Sequence, residues 1–353
     1  MPINISLILC VTVFLCSFVA TKFILKFAVF FRIVDDPKVN PFIKKQNMSV
    51  PLLGGVGLSI VGIFFTVGVW LCMKYNLFNL HKYFIQNLYY EFHLGWIIVG
   101  CLIILVAGIL DDKYKLTSTQ MLIPVNLAIF VAVFLGGLRI ESLSYPFNNL
   151  LPFIPFLHYF LAYIWILVCL SATKFLDGHD GLVGSIGIIN LLGIATVSMF
   201  PNVNQPFIFT VAMIWCSAIL GFLPYNLPNA KLYLGEVGSE MIGFMIGVLS
   251  ILSGAKVATS STIIGWFILD LVLVFWIRYK SGKNIFIGGR EHWHFRLVDD
   301  GFGKWQVLIF TIFIVSVTSI MGILLETKYK PLVFVLQTCV IFLVYKKTNS
   351  AKK

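Results

Sequence analysis

Apolar residues run in long uninterrupted blocks along this chain, and the polar residues gather in short intervals between them. Blocks long enough to cross a bilayer lie at residues 3–24, 52–73, 94–110, 121–138, 153–170, 183–199, 207–223, 241–253, 262–278, 306–325 and 331–345. These eleven blocks predict transmembrane helices, and an odd number puts the two termini on opposite faces. The first block has no basic stretch ahead of it and no small-residue cleavage site, so Met1–Ala20 reads as a retained span and not a signal peptide.

Composition agrees with that pattern. Of 353 residues, 59% are hydrophobic and only 12% are charged, and mean hydropathy is +0.94. This is the profile of an all-α polytopic membrane protein, expected as one integral-membrane domain over residues 1–353. The net charge of +11 would suggest nucleic acid in a soluble domain. No basic segment interleaved with aromatics exists here, so nucleic acid is excluded as a partner. The seven cysteines lie in or beside apolar blocks without CxxC spacing and read as small hydrophobes.

The polar intervals sort by charge. Intervals 32–51, 111–120, 171–182, 224–240, 278–305 and the tail from Lys346 hold eighteen of the 26 lysines and arginines, while the alternating intervals hold six. That bias makes the first set cytoplasmic and the N-terminus external in a multi-pass protein of the cell (inner) membrane. Eleven of the fifteen carboxylates fall on the same face. A transporter is expected to hold such groups near mid-membrane, where only Asp270 is found. The asymmetry favours chemistry at the membrane surface.

Each cytoplasmic interval carries a motif. Gly108–Leu116 ends a span in Asp111 and Asp112. Phe175–Leu182 reads FLDGHDGL, with Asp177 and Asp180 beside glycines. Gly221–Gly243 reads GFLPYNLPNAKLYLGEVGSEMIG, around Asn226, Glu236 and Ser239. Asp270–Leu297 contains Arg278, Arg290, His292 and His294, and the interval 279–305 is expected to carry the histidines over a cleft. Taken singly, these have plain readings as a solvated helix end, turn formers and interfacial residues. Zinc is disfavoured for the alternating histidines, because no third strong ligand sits at a typical spacing.

Together, in this order on one face, the motifs resemble the polyprenyl-phosphate N-acetylhexosamine-1-phosphate transferases, the glycosyltransferase group 4 enzymes. The resemblance runs from about Asp36 to Gly301. Gly108, Asp111, Asp112 and Leu116 match GxxDDxxxL, and Asp177 to Leu182 match DGxDGL. Gly221 through Asn226, Lys231, Gly235, Gly238 and Ser239 match GFLxxNxxPAKxxxGDxGS. Asp270, Arg278, Arg290, His292 and His294 match the last motif, and Lys44, Lys45 and Gly54-Gly55 hold the features of an early DxPxxRKxHxxPxxxGG segment. Glu236 replaces the family's Asp, Lys174 its Asn, Asn47 its early His and Phe295 its third His.

The resemblance implies transfer of a sugar 1-phosphate from a UDP-N-acetylhexosamine to a polyprenyl (undecaprenyl) phosphate, with UMP released at the start of a lipid-linked envelope glycan. It implies Mg2+, or Mn2+ in its place, because two anionic substrates repel and charge builds on the transferring phosphate. Glu236 would be the main metal ligand, joined by Asp112. Asp111 or Asp112 would position or deprotonate the lipid phosphate, and Asp177 and Asp180 would support metal and nucleotide. Arg290, His292 and His294 would meet the diphosphate, with Lys44, Lys45 and Asn226 also contacting substrate. Direct attack by the lipid phosphate is favoured over a covalent carboxylate intermediate. The RxHxxxRL shape at Arg290, His292, Arg296 and Leu297 leans toward enzymes that start O-antigen or capsule chains. Homodimerisation and the identity of the sugar stay open. Two alternatives remain: a multi-span transporter or lipid carrier, and a catalytically degenerate relative.

Overall fold

The computed structural model describes residues 3–35, 49–75, 77, 89–141, 155–253, 257–282, 289 and 291–350. All eleven apolar blocks form helices. They are α1 (Ile3–Phe30), α2 (Gly54–Lys74), α3 (Tyr89–Tyr114), α4 (Ser118–Phe130), α5 (Pro155–Leu176), α6 (Leu182–Ser198), α7 (Pro206–Asn226), α8 (Gly235–Leu252), α9 (Val257–Lys280), α11 (Lys304–Leu324) and α12 (Lys330–Ser350), with α10 (Trp293–Asp299) between the last two pairs. Among the described residues nine helices are long and apolar enough to cross a membrane, and α6 is a shorter apolar helix. The chain is a polytopic membrane protein. Among the described residues one antiparallel strand pair, β1 (Val34–Asp35) and β2 (Val50–Pro51), sits beside the end of α1.

Helix α8 is the axis of the bundle and packs against α2, α3 and α5. Small residues permit those approaches. A Cβ on Gly55 of α2 would collide with the backbone of Gly238, one on Gly108 of α3 would lie 2.7 Å from Val237 Cα, and one on Gly243 would meet Leu170 of α5. In a lipid solvent, backbone proximity of this kind carries much of the helix association.

Local chemistry sets the helix ends that matter. Thr117 caps α4 by accepting from Gln120 N, and Gln120 Oε1 accepts from Thr117 N at 2.8 Å. This reciprocal pair stops α3 from running on and leaves Asp111 and Asp112 in its last turn. Helix α8 starts earlier than its apolar block, so Glu236 and Glu240 lie in its first turns and not in a loop. Residues 293–299 also form a helix where a loop was expected.

Candidate functional site

The four motifs meet at one end of the bundle. Asp112 in α3 reaches the start of α8, where its Oδ1 accepts the Glu236 N–H at 3.1 Å. A carboxylate there satisfies an orphan amide and matches the positive end of the helix. The approach requires Gly235: its φ is +73°, and a Cβ would sit 2.5 Å from Asp112 Oδ2. Asp112 is buried, and its Oδ2 has no hydrogen-bond partner among the described residues.

Lys174, in the last turn of α5, forms an ion pair with Glu236 and donates to Glu240 Oε1 at 2.9 Å. The two positions at which this chain departs most pointedly from the family's pattern are therefore bonded to each other. Glu240 was not singled out from sequence, although it stands one helical turn beyond Glu236 on α8, a spacing that puts both on one face.

Asp177 and Asp180 have different surroundings. Asp180 is buried and its Oδ2 takes three donors: Lys304 Nζ at 2.7 Å, Asn229 N at 3.1 Å and Ala230 N at 3.5 Å. It ties the DGHDG turn to the loop after α7 and to the start of α11. Asn226 does parallel work, accepting from Gly181 N at 3.1 Å and donating to Leu232 O at 3.0 Å. Both ends of its amide are engaged within the protein. Asp177 opens to solvent. Its carboxyl is pushed well above the ordinary carboxylate range by loss of hydration and by Glu236, Asp112 and Asp180. Because the side chain still reaches solvent, the direction rests on the three neighbouring carboxylates more than on desolvation.

The histidines close the other side. His292 Nδ1 donates to Asp270 Oδ2 at 2.7 Å, and Asp270 Oδ1 accepts from Tyr345 Oη at 2.9 Å and Trp293 N at 3.3 Å. The ring of His292 stacks on that of His294, centroids 5.8 Å apart, and His179 lies 6.2 Å from His294. His179, read from sequence as filling a variable position, is buried, and its Nε2 donates to Lys304 O at 3.0 Å. Burial lowers its basicity. Arg278 pairs with Glu291 Oε2 at 2.9 Å, and not with Asp270, which lies eight positions back on α9. Lys304 and Tyr345 carry no motif signal. Lys44, Lys45 and Arg290 lie outside the described residues.

Among the described residues no three His, Cys, Asp or Glu side chains draw together closely enough to hold a metal alone. Mg2+ commonly takes one or two carboxylates and completes its shell with water and substrate phosphates. The buried, unbonded Oδ2 of Asp112 beside Asp177 fits such a site. Glu236 fits it only once Lys174 moves off.

Comparison with known proteins bears on this geometry. Residues 94–254, which carry Asp111, Asp112, Asp177, Asp180, Asn226 and Glu236, match the profile of glycosyl transferase family 4. The chain is similar, at 27% identity over 315 residues, to a Bacillus subtilis (strain 168) protein named probable undecaprenyl-phosphate N-acetylglucosaminyl 1-phosphate transferase, covering 88% of this chain and 82% of that one. The Escherichia coli (strain K12) undecaprenyl-phosphate alpha-N-acetylglucosaminyl 1-phosphate transferase is 26% identical over 334 residues, covering 90% and 83%. A phospho-N-acetylmuramoyl-pentapeptide-transferase of Listeria monocytogenes serotype 4b is 27% identical over 218 residues, covering 57% and 65%. The chain assembles this cluster from segments far apart in sequence, and the family match ends before the histidine motif.

Proposed function

We propose that this protein transfers a sugar 1-phosphate from a UDP-N-acetylhexosamine to undecaprenyl phosphate and releases UMP. The observation that carries the reading is the convergence of Asp112, Asp177, Asp180 and Glu236 at one end of the bundle, in a chain whose relatives bear that activity in their names. In this reading that end faces the cytoplasm of the inner membrane, with the N-terminus outside and the whole chain acting as one domain. The lipid phosphate enters from the bilayer and the nucleotide from the cytosol.

Asp112 positions the acceptor phosphate at the start of α8. Asp180 and Asn226 hold the DGHDG turn, so that Asp177 stands at the mouth of the cleft. His292, fixed by Asp270, and His294 face the diphosphate. A divalent cation held by Asp112 and Asp177, with Glu236 when that carboxylate is released, would neutralise the charge that builds on the transferred phosphate.

The test is UMP release by the purified full chain with undecaprenyl phosphate, Mg2+ and a panel of UDP-N-acetylhexosamines. Release is expected to need lipid and metal and to fall roughly a hundredfold or more in Asp112→Asn. A folded protein that releases no UMP with any donor overturns the reading in favour of a degenerate relative.

A further inference from the structure

Lys174 occupies the carboxylate that a metal would need. Its side chain is 33% exposed, Glu236 is 19% exposed and Glu240 is fully buried. Glu236 and Glu240 stand four residues apart on α8, where two like charges repel unless a cation lies between them. Lys174 is that cation. Glu240 has a second oxygen, Oε2, that is buried without a hydrogen-bond partner among the described residues. Removing the ammonium from Glu240 would leave a fully buried carboxyl oxygen without its donor, where water cannot take the donor's place. Removing it from Glu236, at the rim, costs far less, because water and an incoming cation can replace it. The two bonds of Lys174 are thus unequal, one fixed and one exchangeable.

We propose that Lys174 is the resident counter-ion of Glu236 and Glu240, and that a divalent cation gains Glu236 only by displacing it while Lys174 stays on Glu240. The proposal deepens the transferase reading and rests on it for the location of the metal. It also gives a physical account of the paired departures. Glu236, one methylene longer than the family's Asp, meets the ammonium of a Lys that stands where the family has Asn.

The experiment uses the purified full chain without nucleotide or lipid, and Mn2+ as the probe. Free Mn2+ is read by electron paramagnetic resonance, with melting temperature as a check on folding. Lys174→Gln is expected to bind Mn2+ on the order of tenfold more tightly than wild type, because the competitor is gone, whereas Lys174→Arg keeps a cation and stays near wild type. Equal or weaker binding by folded Lys174→Gln overturns the proposal. A measurement on wild type alone covers the case of a variant that does not fold. Acylation of Lys174 by an amine-reactive reagent, read by mass spectrometry, is expected to speed up when Mn2+ is added, and an unchanged or slower rate sinks the idea. UMP release is read separately. A chain that turns over while Lys174→Gln gains no Mn2+ affinity loses only this inference. A chain that gains that affinity yet never releases UMP loses only the transferase reading.

Discussion

His292 and Asp270 are joined by a 2.7 Å hydrogen bond from Nδ1 to Oδ2, and both side chains are buried. The bond fixes the ring's orientation and the tautomer with hydrogen on Nδ1, which leaves Nε2 to face a substrate. Tyr345 of α12 and the Trp293 amide hold the other carboxylate oxygen. Asp270→Asn weakens a bond to a charged group, worth about 1.5–3 kcal/mol. It is expected to lower kcat/KM roughly ten- to hundredfold with the fold retained, while Tyr345→Phe costs about fivefold. Steady-state kinetics on both variants, with the 15N shifts of His292 as a tautomer readout, checks this.

Asp180 and Lys304 form a bond whose ends are unequally exposed, at 8% for Asp180 and 46% for Lys304. Asp180→Ala strands two backbone amides and loosens the DGHDG turn, so a stability loss of about 2–3 kcal/mol is expected. Lys304→Met removes a partner that is nearly half in solvent and should cost under about 1 kcal/mol. Thermal unfolding in detergent measures both. Equal losses would show that the ion pair, and not the backbone bonds, anchors the turn.

Gly235 combines a left-handed backbone with a contact to Asp112. Gly235→Ala is expected to cost about 1–3 kcal/mol of strain and to push Asp112 away from the start of α8. Activity should fall further than stability does. Melting temperature and UMP release from the same sample separate the two effects.

Asp177 gives a pH dependence with a definite sign. Its carboxyl is raised above the ordinary range by Glu236, Asp112 and Asp180 as well as by lost hydration. Between its unfolded and folded values the native state therefore binds more protons than the unfolded state, and stability falls as pH rises through that window. The contribution is fully present below the ordinary carboxylate range, about 4, and is lost once pH passes the raised value. Asp177→Asn removes a repulsive charge, so it should melt higher than wild type at pH 8, with the difference closing toward pH 4. A pH series of melting temperatures decides it.

Much of this was legible in the chain. Each of the eleven apolar blocks became a helix, because burying a backbone in lipid leaves no alternative to internal hydrogen bonding. The motifs also gave the acidic residues at the end of α3, in the DGHDG turn and at the start of α8. Less legible were the helix ends. Glu236 reads as a loop residue until Gly235 and the Asp112 cap extend α8 back to include it, and residues 293–299 are too few to show a helical period.

The sequence by itself determined the membrane class, the apolar helices and the acidic motifs between them, since those follow from hydropathy and local spacing. Only the tertiary structure decided which of those residues act on each other. It bonded Asn226 to Gly181 and Leu232 and Asp180 to Lys304, brought Tyr345 to Asp270 across 75 positions, and set Lys174 between Glu236 and Glu240. The physical reason is range: hydropathy and turn chemistry act within a few residues along the chain, whereas hydrogen bonds and charge pairs depend on distances that exist only after the helices have packed.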